Sequence, residues 1–254
     1  MASSERFGYA WNKYNKIEAV HEEQFKNWID PIGPDFFVGK EFLDVGCGMG
    51  RNSFWALRWG AKSCTAIDLD DRSLNRTREN LTDFKNKNVL KLSANDITWN
   101  NRFDIAFSIG VIHHLSNPQK VLDNMYRSLK SDGTMIVWVY SQEGNEWIKK
   151  YVNPLRIRIF SRLPLWMVHF VSSILVIPLY ILAKSRMSKN KYLMQLSNFN
   201  LQHIRSIVFD QLIPSIANYW SRDEVKSLFS KYIFKSIVIK NPPNGQGWTI
   251  IGKK

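Results

Sequence analysis

Apolar and polar residues follow two different periods along the first 140 residues of the chain. Short apolar runs, which are typical of strands inside a sheet, cover residues 42–45, 63–69, 88–92, 102–109 and 134–140. The segments at 52–60 and 118–130 instead have the apolar spacing of one helix face. Strands that alternate with helices predict a parallel, doubly wound α/β sheet, whose ligands bind at the carboxyl ends of the strands.

A glycine-rich turn follows the first predicted strand. Glycine occupies every second position of this turn, at Gly46, Gly48 and Gly50. Glycine lets the backbone adopt unusual φ angles and approach a ligand closely, and the helix that follows offers unpaired N–H groups at its N-terminus. Asp68 stands near the carboxyl end of the second predicted strand, where a carboxylate can accept hydrogen bonds from a ribose diol. The turn and this acid together predict a site for a nucleoside cofactor.

The residues around the turn disfavour a dinucleotide as that cofactor. The dinucleotide pattern places a third glycine three residues after the second, where this chain has Arg51. Asp44 stands two residues before the first glycine. A carboxylate at this position would repel a pyrophosphate and would suit a cationic group of the ligand.

Taken with Asp68, the run from residue 41 to residue 50 resembles the first motif of class I S-adenosylmethionine-dependent methyltransferases. The resemblance implies that Asp44 lies by the methionine part of the cofactor, that Asp96 bonds the adenine amino group and that Ile97 packs on the ring. The predicted cofactor-binding residues are Asp44, Gly46, Cys47, Gly48, Gly50, Asp68, Leu69, Asp96, Ile97 and Ile109. Further motifs in residues 139–164 and 208–214 resemble a bacterial subgroup of methyltransferase type 11/12-like proteins, which extends the likeness over nearly the whole chain.

The resemblance implies a Rossmann-like sheet of seven strands with the last strand antiparallel, an N-terminal lid helix and a helical insertion after the fifth strand. Apolar runs at 233–240 and 247–253, joined by a turn at 241–245, agree with a sixth and a seventh strand. We therefore divide the chain into an N-terminal lid (1–40), a cofactor-binding core (41–140), a helical cap (141–220) and the end of the core (221–254).

Composition agrees with one catalytic domain that carries an insertion. A chain of 254 residues, of which 44% are hydrophobic, can build a large core. Its two cysteines, Cys47 and Cys64, provide neither a disulfide framework nor the spacing of a metal site. The first 26 residues are polar and charged and lack the pattern of a signal peptide, so we expect a cytoplasmic protein.

The cap is basic and contains a long apolar block. Residues 147–209 contain no acidic residue and ten basic ones: Lys149, Lys150, Arg156, Arg158, Arg162, Lys184, Arg186, Lys189, Lys191 and Arg205. Residues 163–183 contain no charged residue, and this length of 21 would suffice for a transmembrane helix. One crossing, however, would separate the last two strands from the rest of the sheet.

Breaks within the apolar block favour a hairpin over one straight helix. Pro164, Pro178 and the Ser172-Ser173 pair predict a broken helical hairpin. We therefore expect a cap that either packs its apolar face on the domain or dips into one membrane leaflet. Its basic residues, in the range 149–191, would then be attracted to an anionic surface.

Methyl transfer requires that the acceptor be positioned in line and often deprotonated. His113 and His114 stand at the end of the fourth predicted strand and are candidates for the base, although one histidine of this loop is structural in the resembled superfamily. Asp210, the only acid between residues 147 and 221, is a third catalytic candidate, unless it pairs with a basic neighbour such as Arg205. The residues expected to contact the acceptor are Tyr9, Trp11, Asn145, Tyr219 and Trp220.

The identity of the acceptor stays open. We expect a small-molecule or lipid-linked acceptor, methylated at oxygen, and the alternative is a quinone or isoprenoid methylated at the membrane surface. An RNA methyltransferase and a non-catalytic cofactor-binding module are less favoured. The net charge of +13 raises nucleic acid as a partner, but the basic residues flank an apolar block instead of alternating along a groove. We therefore disfavour nucleic acid as a partner and expect the protein to be cytoplasmic or peripheral on the inner face of the membrane.

Overall fold

The computed structural model describes residues 3–185, 191–242 and 245–254. Its strands are β1 (Glu41–Val45), β2 (Ser63–Asp68), β3 (Lys87–Lys91), β4 (Phe103–Ile109), β5 (Leu129–Tyr140), β6 (Ser236–Lys240) and β7 (Gly247–Lys253). They form one sheet in the order β3-β2-β1-β4-β5-β7-β6. Strands β1 to β5 pair in parallel, and β7 runs antiparallel to both β5 and β6. The predicted seven-stranded sheet with an antiparallel last strand is therefore confirmed.

Helices cover both faces of the sheet and build the cap. They are α1 (Ser3–Lys13), α2 (Ala19–Ile29), α3 (Arg51–Arg58), α4 (Asp71–Asn80), α5 (Pro118–Ser128), α6 (Asn153–Arg158), α7 (Leu165–Lys184), α8 (Lys191–Leu196), α9 (Leu201–Leu212) and α10 (Arg222–Ser230). Arg186 and Lys189 of the basic cap and Pro243 and Asn244 of the predicted turn lie outside the described residues.

Alternating side chains of the strands divide the interior into two cores. Leu43 and Val45 belong to the core closed by α5 and α10, whereas Phe42 belongs to the opposite core, closed by α2 and α3. Asp44 shares the side of Phe42 because side chains two residues apart in a strand point to the same face. A carboxylate is thus placed inside an apolar layer at the edge where the parallel strands end.

The cap contains one continuous helix where the sequence predicted a broken hairpin. Helix α7 begins after Pro164 and continues through Pro178. The hydroxyls of Ser172 and Ser173 both donate to the carbonyl of His169 in the preceding turn, at 2.7 and 2.8 Å. Serine hydroxyls that bond within the helix in this way do not end it. The hairpin prediction was therefore wrong.

Candidate functional site

A cleft opens at the carboxyl ends of β1, β2 and β4. Its floor is the glycine turn after β1, and its sides are the ends of β2 and β4 and the loop after β3. Helix α1 covers one side with Phe7 and Trp11. Six of the predicted cofactor residues line this cleft: Gly46, Cys47, Gly48, Asp68, Leu69 and Ile109.

The first two glycines of the turn have positive φ angles, and side chains that line the cleft pack closely against them. Gly46 has φ +77°, and a Cβ atom there would lie 2.6 Å from Cγ2 of Val111. Gly48 has φ +57°, and a Cβ atom there would lie 2.9 Å from Nε1 of Trp11. A larger residue would be strained and would also push away a residue that lines the cleft.

Backbone donors hold the carboxylate of Asp68 at the edge of the cleft. Its Oδ2 accepts from the N–H of Gly48 at 2.9 Å, and its Oδ1 accepts from the N–H groups of Leu69 and Asp70 at 2.7 and 3.1 Å. Burial raises the pKa of Asp68, and these hydrogen bonds oppose that rise. The carboxylate is thus fixed in position, and its remaining lone pairs can accept hydrogen bonds from a ribose diol.

Asp44 lies behind the turn and does not line the cleft. It is only 1% exposed, and the hydroxyl of Ser53 donates to its Oδ2 at 2.6 Å. Burial raises the pKa of Asp44 to about 7, and the charge of Asp68 adds to the rise. A positive group nearby would favour the ionised form of such an acid. The contact between Asp44 and the methionine part of the cofactor stays a prediction.

Three other predicted cofactor residues lie outside the cleft. Asp96 is exposed and Ile97 is buried in the core beneath the loop, while Ala94 and Asn95 line the cleft in their place. The reason is a single 3₁₀ turn over Ala94–Asp96, which shifts the side chains that face inward. Gly50 has φ +78° and begins α3 on the side of α4, away from the cleft.

The two predicted histidines have different surroundings. His114 lines the cleft, and its Nδ1 lies 2.7 Å from the carbonyl oxygen of Ile216. Because a carbonyl can only accept, Nδ1 carries the proton and Nε2 of the neutral ring does not. Burial lowers the pKa of His114 to about 4. His113 is fully buried and stacks on Tyr140 with ring centroids 3.8 Å apart, away from the cleft.

Asp210 also lies outside the cleft lining. Burial raises its pKa to about 7, and the charge of Arg51 opposes the rise. Arg51 does line the cleft, and its guanidinium lies 5.2 and 5.0 Å from the ring centroids of Trp11 and Trp28. Within the described residues Asp210 makes no ion pair with Arg205. The electrostatic influence of Asp210 therefore reaches the cleft through Arg51.

Only one of the five predicted acceptor contacts, Trp11, lines the cleft. The other four make contacts inside the protein. Tyr9 packs on Phe209 with ring centroids 5.9 Å apart, and Tyr219 stacks on Tyr140. Asn145 donates to the carbonyls of Ser141 and Gln246, and Trp220 packs against the core that contains Leu43 and Val45. Phe7 lines the cleft beside Trp11, because residues four apart share one face of a helix.

The cleft fits S-adenosylmethionine. Leu69, Leu92, Ala94 and Ile109 supply apolar walls for an adenine ring, the fixed carboxylate of Asp68 suits a ribose, and the glycine turn leaves room beside them. Among the residues that the structure describes, no group of three or more His, Cys, Asp or Glu side chains could hold a metal ion.

Comparison with known proteins agrees with this geometry. Residues 43–137 match the family model described as a methyltransferase domain. The tRNA U34 carboxymethyltransferase of Cronobacter sakazakii is 31% identical over 112 residues, which cover 43% of this chain and 35% of that protein. The enzyme of the same name from Vibrio cholerae is 32% identical over 107 residues, 41% and 33% of the two chains. The chain thus spans about a third of the length of these curated relatives.

Solved structures share the fold over the whole chain. A SAM-dependent methyltransferase from Thermotoga maritima has a TM-score of 0.56 at 18% identity, with 99% of each chain covered. A chain in the Haloferax volcanii complex of the Trm112 methyltransferase activator with its methyltransferase has a TM-score of 0.57 at 15% identity, with 99% of this chain and 97% of that one covered. Residues 43–137 therefore form a methyltransferase domain, the chain shares the fold of S-adenosylmethionine-dependent methyltransferases, and S-adenosylmethionine is the cofactor that the domain and the cleft imply.

Proposed function

We propose that the chain methylates an oxygen atom of a small-molecule or lipid-linked acceptor, with His114 as the residue that receives the acceptor's proton. The observation that supports a hydroxyl acceptor is the position and hydrogen bonding of the His114 ring. The ring lines the cofactor cleft with Nδ1 bonded to the backbone at 2.7 Å, which leaves Nε2 with a free lone pair. A hydroxyl group is the acceptor class that gains most from such a partner.

Electrostatics is compatible with this role in spite of the low pKa of His114. When bound, S-adenosylmethionine supplies a methyl group on a positively charged sulfonium, and that charge is neutralised when the methyl group is transferred. His114 accepts the hydrogen bond of the hydroxyl and takes up its proton as the new carbon–oxygen bond forms. The number of positive charges in the cleft stays the same, so the proton does not add a second positive charge there.

The side chains around His114 exclude water and orient the acceptor. Phe7, Val111 and Leu115 line the same cleft as His114. An apolar lining favours an acceptor with a hydrophobic part and prevents hydrolysis by stray water. A quinone or isoprenoid at a membrane surface would satisfy this requirement, and we propose a cytoplasmic protein that is peripheral on the inner face of the membrane.

The test uses cofactor labelled in the methyl group with three acceptor pools: lipid extract, polar metabolites and total tRNA. We expect label in the lipid or metabolite pool as an ether-linked methyl group that is stable to base. His114→Gln keeps a hydrogen-bond acceptor but cannot take the proton, and it should lower kcat at least tenfold while the Kd of S-adenosylmethionine stays unchanged. Full turnover by this variant would remove His114 from the mechanism.

RNA is the second candidate acceptor. The curated relatives are named as tRNA-modifying enzymes, and the net charge of +13 favours a polyanion. The expectation that disfavours nucleic acid as a partner therefore has no support from the relatives. Their match, however, leaves more than half of this chain uncovered. Label that appears in total tRNA, and is lost on treatment with ribonuclease, would favour RNA over the hydroxyl acceptor.

A further inference from the structure

Helix α7 is apolar around its circumference, but the protein covers only one side of it. Val168, Ser172 and Val176 on the inner side are buried, against α1, α9 and neighbouring parts of the cap. The outer side carries five residues at spacings of three or four, each more than half exposed: Trp166, Phe170, Ile174, Ile177 and Ile181. We call this set the outer stripe. A 20-residue helix is about 30 Å long, so the stripe is a long apolar surface.

Basic side chains flank the outer stripe at both ends. Lys149, Lys150, Arg158 and Arg162 precede it, Lys184 follows it, and all five are exposed. We call these residues the basic rim. Acidic residues are absent from positions 147–209 of the sequence. None of the five rim residues forms an ion pair with another described residue.

We propose that the cap docks on an anionic lipid leaflet, with α7 parallel to the membrane plane. The outer stripe then enters the boundary between headgroups and acyl chains, and the basic rim contacts the anionic headgroups. This combination of an apolar face with flanking cations is the arrangement by which interfacial helices bind such a surface.

The fold argues against a crossing. By length and composition α7 would qualify as a span, with a mean hydropathy of 2.1. However, β5 precedes α7 and β7 follows it, and these strands pair along seven residue pairs of one sheet. Among the described residues no other helix is long and apolar enough to cross back, so both ends of α7 must lie on the same side of a bilayer.

Charge argues against two other occupants of this surface. A second copy of the chain, seated stripe against stripe, would bring two basic rims together without an acidic partner, and like charges repel. A nucleic acid would satisfy the rim but would leave the outer stripe in water. An anionic leaflet satisfies both parts.

The inner side of α7 connects this surface with the cofactor cleft. Leu165 and Val168 share an apolar cluster with Ala10 and Phe7 of α1, and Phe7 lines the cleft. A docked cap would therefore hold the lid helix between the leaflet and the cleft. That a lipid-linked acceptor enters from the leaflet rests on the proposed function, whereas docking itself does not and is measured without turnover.

Vesicle flotation of the full chain tests the surface. We expect flotation with phosphatidylcholine vesicles that contain phosphatidylglycerol, and weak flotation with phosphatidylcholine alone. The double variant Phe170→Glu/Ile177→Glu and the double variant Arg158→Glu/Arg162→Glu should each weaken binding by at least about tenfold. The control is Ile233→Glu, which alters a residue that is 87% exposed outside the cap and should float like the wild type.

Each alternative has its own result. Absence of wild-type flotation, or flotation that the stripe variant retains, would overturn the proposal. A wild-type dimer that Phe170→Glu/Ile177→Glu converts to a monomer, without vesicle binding, would assign the surface to a second copy. S-adenosylmethionine affinity, measured by calorimetry, verifies that each variant is folded. If the stripe variant loses cofactor affinity, the charge variant, which leaves the sequence of α7 unchanged, decides.

Orientation is measured separately with single fluorescent labels. Both native cysteines, Cys47 and Cys64, are buried, so an introduced exposed cysteine can be labelled selectively. Trp166→Cys, Ile174→Cys and Ile181→Cys place labels at the two ends and the middle of α7. Depth-dependent quenchers should report the same shallow depth at all three positions. A label at position 174 deeper than those at both ends would indicate a crossing and contradict the proposal.

Discussion

Arg6 holds the lid helix α1 to the cap, and Arg6→Met tests whether this tie maintains the cofactor cleft. The guanidinium is only 2% exposed and donates to three backbone carbonyls, those of Ile213 (2.8 Å), Phe160 (2.8 Å) and Leu163 (3.2 Å). Methionine retains an unbranched apolar stem but has no donor. The substitution therefore leaves three carbonyls without this partner while it changes the packing little.

The magnitude follows from these three hydrogen bonds. A hydrogen bond to a charged group contributes about 1.5–3 kcal/mol, and bonds made by one side chain are not additive. We expect Arg6→Met to weaken the docking of α1 by about 3 kcal/mol, which raises the population of the undocked helix about 150-fold. Phe7 and Trp11 leave the cleft with α1, so the apparent Kd of S-adenosylmethionine rises as the reciprocal of the docked fraction.

Hydrogen exchange and calorimetry measure the two effects. Amides of α1 should lose protection while those of β4, in the centre of the sheet, keep theirs. Arg72→Met is the matched control, because Arg72 also donates to α1, at the carbonyl of Glu5, but its side chain is 42% exposed. Its effect should stay below about 1 kcal/mol. Unchanged α1 protection in Arg6→Met, or equal loss in every strand, would refute the reasoning.

Three further substitutions have defined outcomes. Asp44→Asn should weaken cofactor binding yet raise the Tm of the cofactor-free protein above pH 7. Burial raises the pKa of Asp44 to about 7, so ionisation of Asp44 lowers the stability of the wild-type fold by up to about 4 kcal/mol as pH rises from about 4 to about 7. A wild-type Tm that stays level over this range would contradict the assignment. Gly48→Ala adds about 1–2 kcal/mol of strain at φ +57° and displaces Trp11, so both Tm and the affinity for S-adenosylmethionine should fall. An unchanged affinity, measured by calorimetry, would contradict the close approach of Gly48 to Trp11. Asn145→Ala removes two hydrogen bonds that hold the loop after β5 to the start of β7, so Tm should fall by several degrees while the KM for the acceptor stays the same. A change in KM with an unchanged Tm would place Asn145 in the acceptor site.

The cofactor-binding half of the chain could be predicted because its signals are local. Each strand is a short apolar run, and parallel strands bring their carboxyl ends to one edge of the sheet. Asp68 and Ile109 are 41 positions apart in sequence, yet both line the cleft because each stands at the end of its strand. The position of Asp96 and Ile97 outside the cleft lining also has a local origin. A 3₁₀ turn over Ala94–Asp96, capped by the hydroxyl of Ser93, which accepts from the N–H of Asn95, determines which side chains of this loop face the cleft.

The acceptor side could not be predicted, because residue type does not distinguish a pocket wall from an internal contact. Asn145, Tyr219 and Trp220 are polar or aromatic, and each has its partners inside the protein. The partner of Asn145 at residue 246 lies 101 positions away, a distance over which sequence periodicity contains no information. Tyr219 stacks on Tyr140 in the same way. These internal contacts account for the three residues without a ligand, so their role toward the acceptor stays a prediction.

The environment of the apolar block in the cap also could not be predicted from the sequence. A run of 21 uncharged residues is equally compatible with a membrane span, a buried core helix and a helix at an interface, because the three differ only in what covers each side. Pairing of β5 with β7 excludes the first, and the exposed outer stripe excludes the second. Both facts concern contacts between residues far apart in sequence. The proposed interfacial helix leaves one apolar side for lipid and keeps the other on the lid, so under that proposal a lipid-linked acceptor would reach the cleft from the leaflet.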